Sequence, residues 1–376
     1  MLNNFFNYFS YYQWWKNLDK FIFSIIITLF LVGLFFSLVS TSLIASDKLD
    51  TNSYFFFFKH LIFVLIGFFI IFIFSYINHK TLYKISIYIF LLSLILLLLV
   101  PFIGIEVKGS TRWLDLILLP RIQPVELVKP FFIIILALII SNNKLSNFTI
   151  KFSISFLLTS LIVFLLVLQP DLGQSILVIF SWLLLIFISG INLFLLISIS
   201  LVGISSILYI VLYFPKFEYI KSRLFSFFDA KTATHNFQSD KAIESVMSGG
   251  FFGKGIGEGT LKNRVPEAHT DYIISVISEE FGVIAIMLIL ILFLVFIFSI
   301  LKKVGKETDD TIRLILVGCA SLILLQAMIH IGVNIRLFPT TGMTLPFLSY
   351  GGSSIISISI LSGVILNLTK RKILIS

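Results

Sequence analysis

The sequence has 376 residues, of which 58% are hydrophobic and 12% are charged. A soluble domain carries roughly twice that charged fraction, and no segment is large or polar enough to form a separate soluble domain. The net charge of +9 indicates the inner loops of a membrane protein rather than nucleic-acid binding. The single cysteine, Cys319, excludes a disulfide within the chain.

Apolar runs of about 20 residues recur along the chain, and this is the length of a membrane-spanning helix. The runs are continuous rather than alternating, which excludes a β-barrel. They predict an all-α polytopic membrane protein with about ten transmembrane helices. The predicted spans are residues 21–45, 55–77, 82–103, 124–141, 149–168, 172–189, 191–214, 271–300, 312–335 and 343–368.

The positive residues predict how these helices are oriented. With the N-terminus inside, the short outer loops carry five of them: Lys48, Lys108, Arg112, Arg121 and Arg336. The inner segments carry Lys16, Lys20, Lys80, Lys84, Lys144, Lys151, Lys302, Lys303, Lys306, Arg313, Lys370, Arg371 and Lys372. Because Lys and Arg concentrate on the cytoplasmic side, both termini are expected in the cytoplasm.

This orientation divides the chain into three parts. Residues 1–20 are predicted as a cytoplasmic N-terminal segment and 371–376 as a cytoplasmic tail. Residues 21–370 are predicted as a single transmembrane domain, with one large outer loop at 215–270 between the seventh and eighth helices. The loop translocates despite its positive residues, since long segments do so largely regardless of charge.

Two helices are predicted within the outer loop. The first is an amphipathic helix at the membrane interface, because four apolar residues share one helical face: Phe217, Ile220, Leu224 and Phe227. The second is short, covers Asp240–Met247 and ends at Gly249-Gly250.

A glycine-rich stretch, Gly249–Thr260, follows the second loop helix. It is either a flexible loop or a cradle whose backbone N–H groups approach an anion such as a lipid phosphate. In the second interpretation Lys254, Lys262 and Arg264 supply positive charge. No strand precedes the stretch, so it is not a nucleotide-binding loop.

The segment Pro266–Tyr272 closes the outer loop and runs directly into an apolar helix. It places Asp271 where an aqueous surface meets the bilayer. One interpretation is an acid that complements the positive end of the helix dipole. The other is a general base in a cavity at the membrane surface. His269 either assists that base or is a hydrogen-bonded structural residue.

Other polar residues in or near the spans suggest structural and functional roles. Glu126 and Lys129 lie three residues apart in one predicted helix, so they share a face and are predicted to form a structural ion pair. Arg112, beside Trp113, is predicted to contact an anion at the outer surface or to anchor the interface. Glu279 is predicted to line the same cavity as Asp271.

A stretch rich in small residues near the C-terminus, 332–354, predicts a broken hairpin between the last two helices. Small residues permit close helix packing, which is one interpretation of the pattern. The other is a cleft for a lipid headgroup, since broken backbone at membrane depth needs a protein or aqueous neighbour.

Taken together, these stretches resemble the motifs of the SEDS family of membrane proteins, which polymerise the glycan strands of peptidoglycan. The resemblance covers about residues 20–370, in order and with the same ten-helix layout. It is closer to the division member of the family than to the elongation member. The matching stretches are Lys108–Asp115, Gln123–Lys129, Gln169–Gln174, Gly249–Gly259, Pro266–Asp271 and Pro339–Ser354.

The resemblance implies a peptidoglycan glycosyltransferase that acts on lipid II, a disaccharide-pentapeptide on undecaprenyl pyrophosphate. Asp271 matches the family's essential aspartate, which takes the proton from the 4-hydroxyl of the acceptor sugar. That oxygen attacks the anomeric carbon of the donor with inversion, and undecaprenyl pyrophosphate leaves. Arg112, Arg223 and Lys254 are expected to hold the pyrophosphate. Further substrate contacts are expected at His269, Glu267, Gln123 and Ser349.

The resemblance also implies partners and a location. No tightly bound cofactor is expected, although a divalent cation, Mg²⁺ or Mn²⁺, would share the work of holding the pyrophosphate; its ligands are unknown. The family's partner is a class B penicillin-binding protein, a transpeptidase that binds the region of the eighth and ninth helices. The protein is therefore expected in the bacterial plasma membrane at the division septum, with other divisome proteins and without nucleic acid.

Two alternatives to a polymerase stay open at this point. One is a lipid II flippase, for which polar residues near mid-depth are scattered: His60, Glu126, Lys129, Gln326 and His330. The other is a noncatalytic scaffold that recruits the transpeptidase. The clustering of motifs in the outer loop favours chemistry outside the membrane over transport.

The chain departs from the family pattern at three positions. Asn263 stands eight residues before Asp271, where many members have an acidic residue. Arg336 stands where the family usually has glycine, and Ala230 stands where a proline is common. Asn263 weakens any mechanism that needs a second loop carboxylate. Arg336 is expected either to contact substrate or to offset a charge lost elsewhere.

Overall fold

The computed structural model describes residues 11–48, 54–107, 110–115, 120–142, 148–214, 217–218, 221–222, 225, 227, 233–260 and 269–370. Helices make up most of this part of the chain. They are α1 (Tyr11–Asn17), α2 (Lys20–Lys48), α3 (Phe55–Tyr76), α4 (His79–Ile103), α5 (Pro124–Ile140), α6 (Phe148–Leu168), α7 (Leu172–Ile188), α8 (Leu193–Tyr213), α9 (Ala233–Gly249), α10 (Ile273–Val304), α11 (Asp310–Asn334) and α12 (Gly352–Leu368).

Each of the ten predicted spans coincides with one of these helices, and the protein is a multi-pass α-helical membrane protein. Among the described residues, six helices are both long and apolar enough to cross a bilayer: α2, α3, α4, α6, α10 and α11. α7 and α12 are apolar but shorter. The count of ten spans and the outer position of the large loop stay predictions.

Two predicted boundaries need correction. The last span was expected to begin at residue 343, but α12 begins at Gly352, and residues 343–351 are not helical. Pro346 disfavours helical backbone at the residue before it, which helps to explain the late start. The second loop helix, expected at Asp240–Met247, is the longer α9. In the predicted amphipathic helix, Ile220 and Leu224 lie outside the described residues.

Polar caps set several helix starts. The side chain of Asn78 accepts a hydrogen bond from the N–H of Thr81, 2.7 Å away, at the start of α4. Asp309 accepts from the N–H groups of Thr311 and Ile312 at the start of α11. Such caps satisfy N–H groups that have no partner within the helix.

A short hairpin after α4 carries one of the predicted site residues. Strands β1 (Ile105–Val107) and β2 (Ser110–Trp113) pair antiparallel, with Glu106 opposite Thr111. An isolated bridge between Leu114 and Ile122 extends the pairing towards α5. Arg112 therefore stands on a hydrogen-bonded strand rather than on an unsupported loop.

α12, which is buried along almost its whole length, and the helices beside it approach each other through glycine. α12 packs against α3, where Gly67 faces Ser359 and Gly363 faces the backbone of Ile71. A β-carbon at Gly33 of α2 would collide with the carbonyl oxygen of Phe347. Small residues let membrane helices come close, and van der Waals packing then stabilises the bundle.

α10 is broken at Gly282, where φ is +75° and ψ is −179°. The glycine-rich loop that follows α9 fills the break with backbone hydrogen bonds. The N–H groups of Lys254 and Gly255 donate to the carbonyls of Glu279 and Glu280, at 2.9 and 3.0 Å. In the other direction, Val283 and Ile284 donate to the carbonyls of Gly250 and Phe251. The loop is thereby joined to the helix as one packed unit.

This packing predicts that Gly253→Ala destabilises the protein more than Gly257→Ala. Both glycines have positive φ, +78° and +84°, so both substitutions cost roughly 1–2 kcal/mol of backbone strain. Only at Gly253 would the new methyl group also overlap the backbone of Glu280, because nothing lies within 4 Å of it at Gly257. Thermal unfolding of both variants in detergent measures the difference, and equal melting temperatures would contradict the packed loop.

Candidate active site

Asp271 lies in a short non-helical segment just before α10, and its backbone is held by distant parts of the chain. Asn334, the last residue of α11, donates to the carbonyl of Asp271 at 3.1 Å. The Ser349 hydroxyl donates to the carbonyl of Thr270 at 2.7 Å. The N–H of Tyr350 donates to the carbonyl of His269 at 3.1 Å. The carboxylate is therefore carried on a backbone whose position is fixed.

The Asp271 carboxylate and the Arg112 guanidinium both lie beside Gly342. A β-carbon placed on Gly342 would lie 3.5 Å from Asp271 Oδ2 and 3.6 Å from Arg112 Nη1. Gly342 has φ of +68°, which favours glycine at this position. An acid and a cation separated by 159 positions in the sequence are thus brought to one place.

Arg112 is nearly buried and is aimed by two further contacts. Its Nη2 donates to the carbonyl of Pro170 at 2.5 Å, and its Nη1 lies 3.5 Å from Asp171 Oδ1. Gln123 Nε2 donates to the other oxygen of Asp171 at 3.3 Å. Burial raises the pKa of Asp171, and the neighbouring Arg112 guanidinium opposes that change. Arg112 Nε has no hydrogen-bond partner among the described residues.

Glu126 and Lys129 form the buried ion pair that their spacing predicts, with 2.8 Å between Nζ and Oε1. Gln174 Nε2 also donates to Glu126 Oε1, at 2.9 Å, and Lys129 Nζ donates to Gln326 Oε1, at 3.0 Å. The pair is thus embedded in amides from two other helices. The charges of the pair offset each other, and the bonds to the two amides connect α5 to α7 and α11.

The glycine-rich loop does not form the backbone anion cradle that was one interpretation of its sequence. The N–H groups of Lys254 and Gly255 are engaged by α10 carbonyls, and that of Gly257 donates to Glu280 Oε1 at 3.3 Å. Lys254 Nζ lies 3.6 Å from Glu279 Oε1, and its side chain is 35% exposed. Lys254 therefore stays available to an anion through its side chain.

Glu279 does not line an open cavity beside Asp271, contrary to expectation. Its side chain is fully buried, and its contacts include Lys254 and Gly259 of the glycine-rich loop. The sequence spacing placed it near the face of Asp271, but the break at Gly282 brings this loop onto that part of α10. Its carboxylate contributes to packing the loop rather than to an open site.

The remaining predicted substrate contacts are only partly placed. The ring of His269 packs against Phe56, with 4.8 Å between the ring centroids. Ser349 is 2% exposed and bridges Thr270 to the N–H of Leu345, so it supports the site from beneath instead of facing substrate. Arg223 and Glu267, like Asn263 and Ala230, lie outside the described residues.

The contacts that Asp171 and Asn334 make were not predictable from the sequence. Asp171 caps α7 and orients Arg112, and Asn334 holds the Asp271 carbonyl. Both residues stand at the ends of apolar helices, where a buried polar side chain must find a partner. That rule indicates that each has a partner, but it does not identify a residue so far away in the sequence.

Among the described residues, no group of three or more His, Cys, Asp or Glu side chains is placed to hold a metal ion. Asp171, the acid beside Arg112, is already engaged by that guanidinium and by Gln123. The divalent cation that the resemblance implies stays a prediction.

Arg336 has a structural role that explains why a non-glycine residue is tolerated there. Its φ is +59°, in the left-handed region that favours glycine. Its Nη1 lies 2.7 Å from Asp240 Oδ1 on α9, so an ion pair offsets part of the backbone strain. The two roles expected for Arg336, a substrate contact or the offset of a charge lost elsewhere, stay predictions.

The fold and the site define a multi-pass helical membrane protein that presents an acid and an arginine at the end of its bundle. The model of the FtsW/RodA/SpoVE family of cell cycle proteins matches residues 19–373. The chain belongs to this family, and the resemblance found in the motifs is confirmed.

Curated relatives and a solved structure agree with this assignment. A probable peptidoglycan glycosyltransferase FtsW from Caulobacter vibrioides is 30% identical over 363 residues, covering 96% of this chain and 91% of the relative. A protein of the same name from Geobacter sp. is 33% identical, covering 93% and 95%. A chain of a peptidoglycan synthase complex shares the fold, with a TM-score of 0.75, 24% identity and coverage of 94% and 97%.

Removal of Lys129 should be costly, because it leaves the Glu126 carboxylate buried without its ion-pair partner. We expect Lys129→Met to destabilise the protein by about 3–5 kcal/mol, as for other broken buried pairs. The double variant Glu126→Leu with Lys129→Met should recover much of that loss. Denaturant unfolding of the wild type, the single variants Lys129→Met and Glu126→Leu, and the double variant tests the coupling. Additive effects of the two single substitutions would contradict it.

The backbone strain and the ion pair at Arg336 predict that substitution by glycine stabilises the protein and that substitution by alanine destabilises it. Arg336→Gly relieves the strain of about 1–2 kcal/mol and loses an ion pair worth less than about 1 kcal/mol, since both partners are partly exposed. Arg336→Ala keeps the strain and loses the pair. The alanine variant should therefore melt below the glycine variant, and the reverse order would refute the assignment.

Proposed function

We propose that this protein is the peptidoglycan glycosyltransferase of cell division, joining lipid II disaccharides into glycan strands. Its membership of the family and the FtsW relatives over almost the whole chain support this activity. The convergence of Asp271 and Arg112 at Gly342 is the observation that carries it. A transfer from a pyrophosphate needs both a base for the attacking hydroxyl and positive charge for the leaving group.

Asp271 acts as the general base in this mechanism. Its carboxylate takes the proton from the 4-hydroxyl of the acceptor sugar as that oxygen attacks the anomeric carbon of the donor. The new bond between this oxygen and the anomeric carbon forms while the bond from that carbon to the pyrophosphate oxygen breaks. The configuration inverts, and undecaprenyl pyrophosphate leaves with the bonding electron pair. A positioned base of this kind typically contributes 10²–10⁴-fold.

Arg112 holds the pyrophosphate as negative charge develops on it. Two of its nitrogens are already directed by Pro170 and Asp171, so the guanidinium is oriented before substrate binds. Its Nε lacks a partner among the described residues, and a buried unsatisfied donor favours an acceptor such as a phosphate oxygen. Lys254 contributes through its side chain, and Arg223 is the third predicted contact.

The partner is a class B penicillin-binding protein that engages the region of α10 and α11. The likeness of the fold to a chain of a peptidoglycan synthase complex supports this proposal. Both termini lie in the cytoplasm, and the protein acts at the septum with other divisome proteins. This topology puts Asp271 on the outer side of the membrane, where glycan strands are assembled.

The central test is glycan-strand synthesis from purified lipid II by the full-length protein with its transpeptidase partner. Asp271→Asn should lower the rate at least 10²-fold, because the amide cannot accept the proton. Asp310→Asn is the matched control, since Asp310 is also an acid at the start of an apolar helix but lies on the predicted cytoplasmic side. It tests the interpretation in which Asp271 only complements a helix dipole.

The other outcomes distinguish the competing functions. Near-normal synthesis by a folded Asp271→Asn protein would refute the base assignment. Movement of lipid II across vesicles without polymerisation would favour the flippase, and neither activity with the partner present would favour the scaffold. The buried pair Glu126 and Lys129 gives the flippase little support, since its charges already offset each other.

A further inference from the structure

Three polar side chains recur every fourth residue along α11: Gln326, His330 and Asn334. Residues four apart lie on the same face of a helix, so the three form a ladder along one side of α11. All three are at most 1% exposed in an otherwise apolar bundle. Burying such groups costs free energy unless each finds a hydrogen-bond partner.

Each of these three side chains, the rungs of the ladder, is hydrogen-bonded to a backbone carbonyl outside α11. Gln326 Nε2 donates to the carbonyl of Thr344 at 3.0 Å. His330 Nδ1 lies 2.7 Å from the carbonyl oxygen of Met343. Asn334 Nδ2 donates to the carbonyl of Asp271 at 3.1 Å. The ladder therefore joins two irregular segments, one at residues 343–344 and one at the start of α10.

Both the oxygen and the nitrogen of the Asn334 side-chain amide, the top rung, form hydrogen bonds. Asn334 Oδ1 accepts from the N–H of Ser275 at 3.2 Å, within the first turn of α10. Its Nδ2 donates both to Asp271 and to the carbonyl of His330 in the preceding turn. The amide thus fixes the residue that carries the carboxylate and the helix that follows it.

The middle residue of the ladder, His330, uses its ring N–H to bond the irregular segment at residues 343–344. A carbonyl oxygen can only accept, so His330 must carry its hydrogen on Nδ1 to bond Met343. Its Nε2 has no hydrogen-bond partner among the described residues. The bond to Met343 is therefore the one described polar contact that this buried imidazole side chain makes.

The bottom rung connects the ladder to the buried ion pair. Gln326 Oε1 accepts from Lys129 Nζ at 3.0 Å while its Nε2 holds Thr344. Residues 343–344 directly follow Gly342, where the Asp271 carboxylate and the Arg112 guanidinium meet. The ladder consequently supports both sides of that meeting point, Asp271 from one rung and the chain next to Gly342 from the other two.

We propose that Gln326, His330 and Asn334 are positioning residues for glycosyl transfer, which set the placement of the Asp271 carboxylate relative to Arg112. This inference rests on the proposed function. None of the three touches the reacting atoms, and each acts through the backbone it holds. A displacement of about 1 Å at a catalytic group can cost 10²-fold in rate, so weak bonds far from the chemistry can matter.

Asn334→Leu tests the top rung, because leucine has nearly the shape of asparagine and no polar atoms. With the partner present, we expect kcat for lipid II polymerisation to fall roughly 10- to 100-fold with KM unchanged. Asn334→Asp is a second variant in case the first folds poorly. It keeps the acceptor for Ser275 and loses both donated bonds, and kcat should also fall.

His330 offers a pair of variants matched in shape. The amide nitrogen of asparagine overlays the Nδ1 of histidine, so His330→Asn can still donate to Met343, whereas the isosteric His330→Leu cannot. We expect kcat of the asparagine variant to exceed that of the leucine variant by about tenfold. Cys319→Ala, a buried substitution on α11 outside the ladder, should keep the wild-type kcat per folded molecule.

Melting temperatures of all variants separate positioning from loss of fold. A purely structural role would lower the folded fraction and leave kcat per folded molecule unchanged, which would overturn the inference. Equal kcat for His330→Leu and His330→Asn, or a raised KM at normal kcat, would also overturn it. Wild-type protein without polymerase activity would instead refute the proposed function, so the two failures are distinguishable.

Discussion

The backbone of residues 269–271 has no regular secondary structure to satisfy its hydrogen bonds, and this constraint shapes the end of the bundle that carries Asp271. Irregular backbone at membrane depth is tolerated only where protein or water supplies its hydrogen bonds. Here the carbonyls of residues 269–271 receive theirs from Asn334, Ser349 and Tyr350. The position of Asp271 therefore depends on α11 and on the connection between α11 and α12.

Buried charge supplies the second level of support. Arg112 is set by Asp171, and Asp171 by Gln123 at the start of α5. Further into the bundle, Glu126 and Lys129 are bonded by Gln174 and Gln326. Since an unpaired charge in this setting would be very costly, these contacts specify how α5, α7 and α11 must meet. The position of Arg112 therefore depends on buried polar contacts among α5, α7 and α11 as well as on its own neighbours.

Hydropathy predicted the apolar helices and the motifs predicted the family, and both predictions are confirmed because these signals are local. The roles of the individual site residues stay predictions. The late start of α12 and the meeting of Asp271 with Arg112 depend instead on contacts between segments far apart in the sequence. Periodicity carries no information on such pairings. The ion pair of Glu126 and Lys129 was predictable because its partners are neighbours on one helix.

The glycine-rich loop shows how one pattern can serve a different physical purpose from the one expected. Glycines that would let amides approach a phosphate instead let the loop approach a broken helix, because a β-carbon at Gly249 or Gly253 would collide with the backbone of α10. The loop amides replace hydrogen bonds that the break at Gly282 interrupts. The proposed contact with an anion is then left to side chains such as that of Lys254. The same hydrogen bonds join the loop to α10, which begins just after Asp271. Lys254 and the Asp271 carboxylate therefore belong to one packed unit.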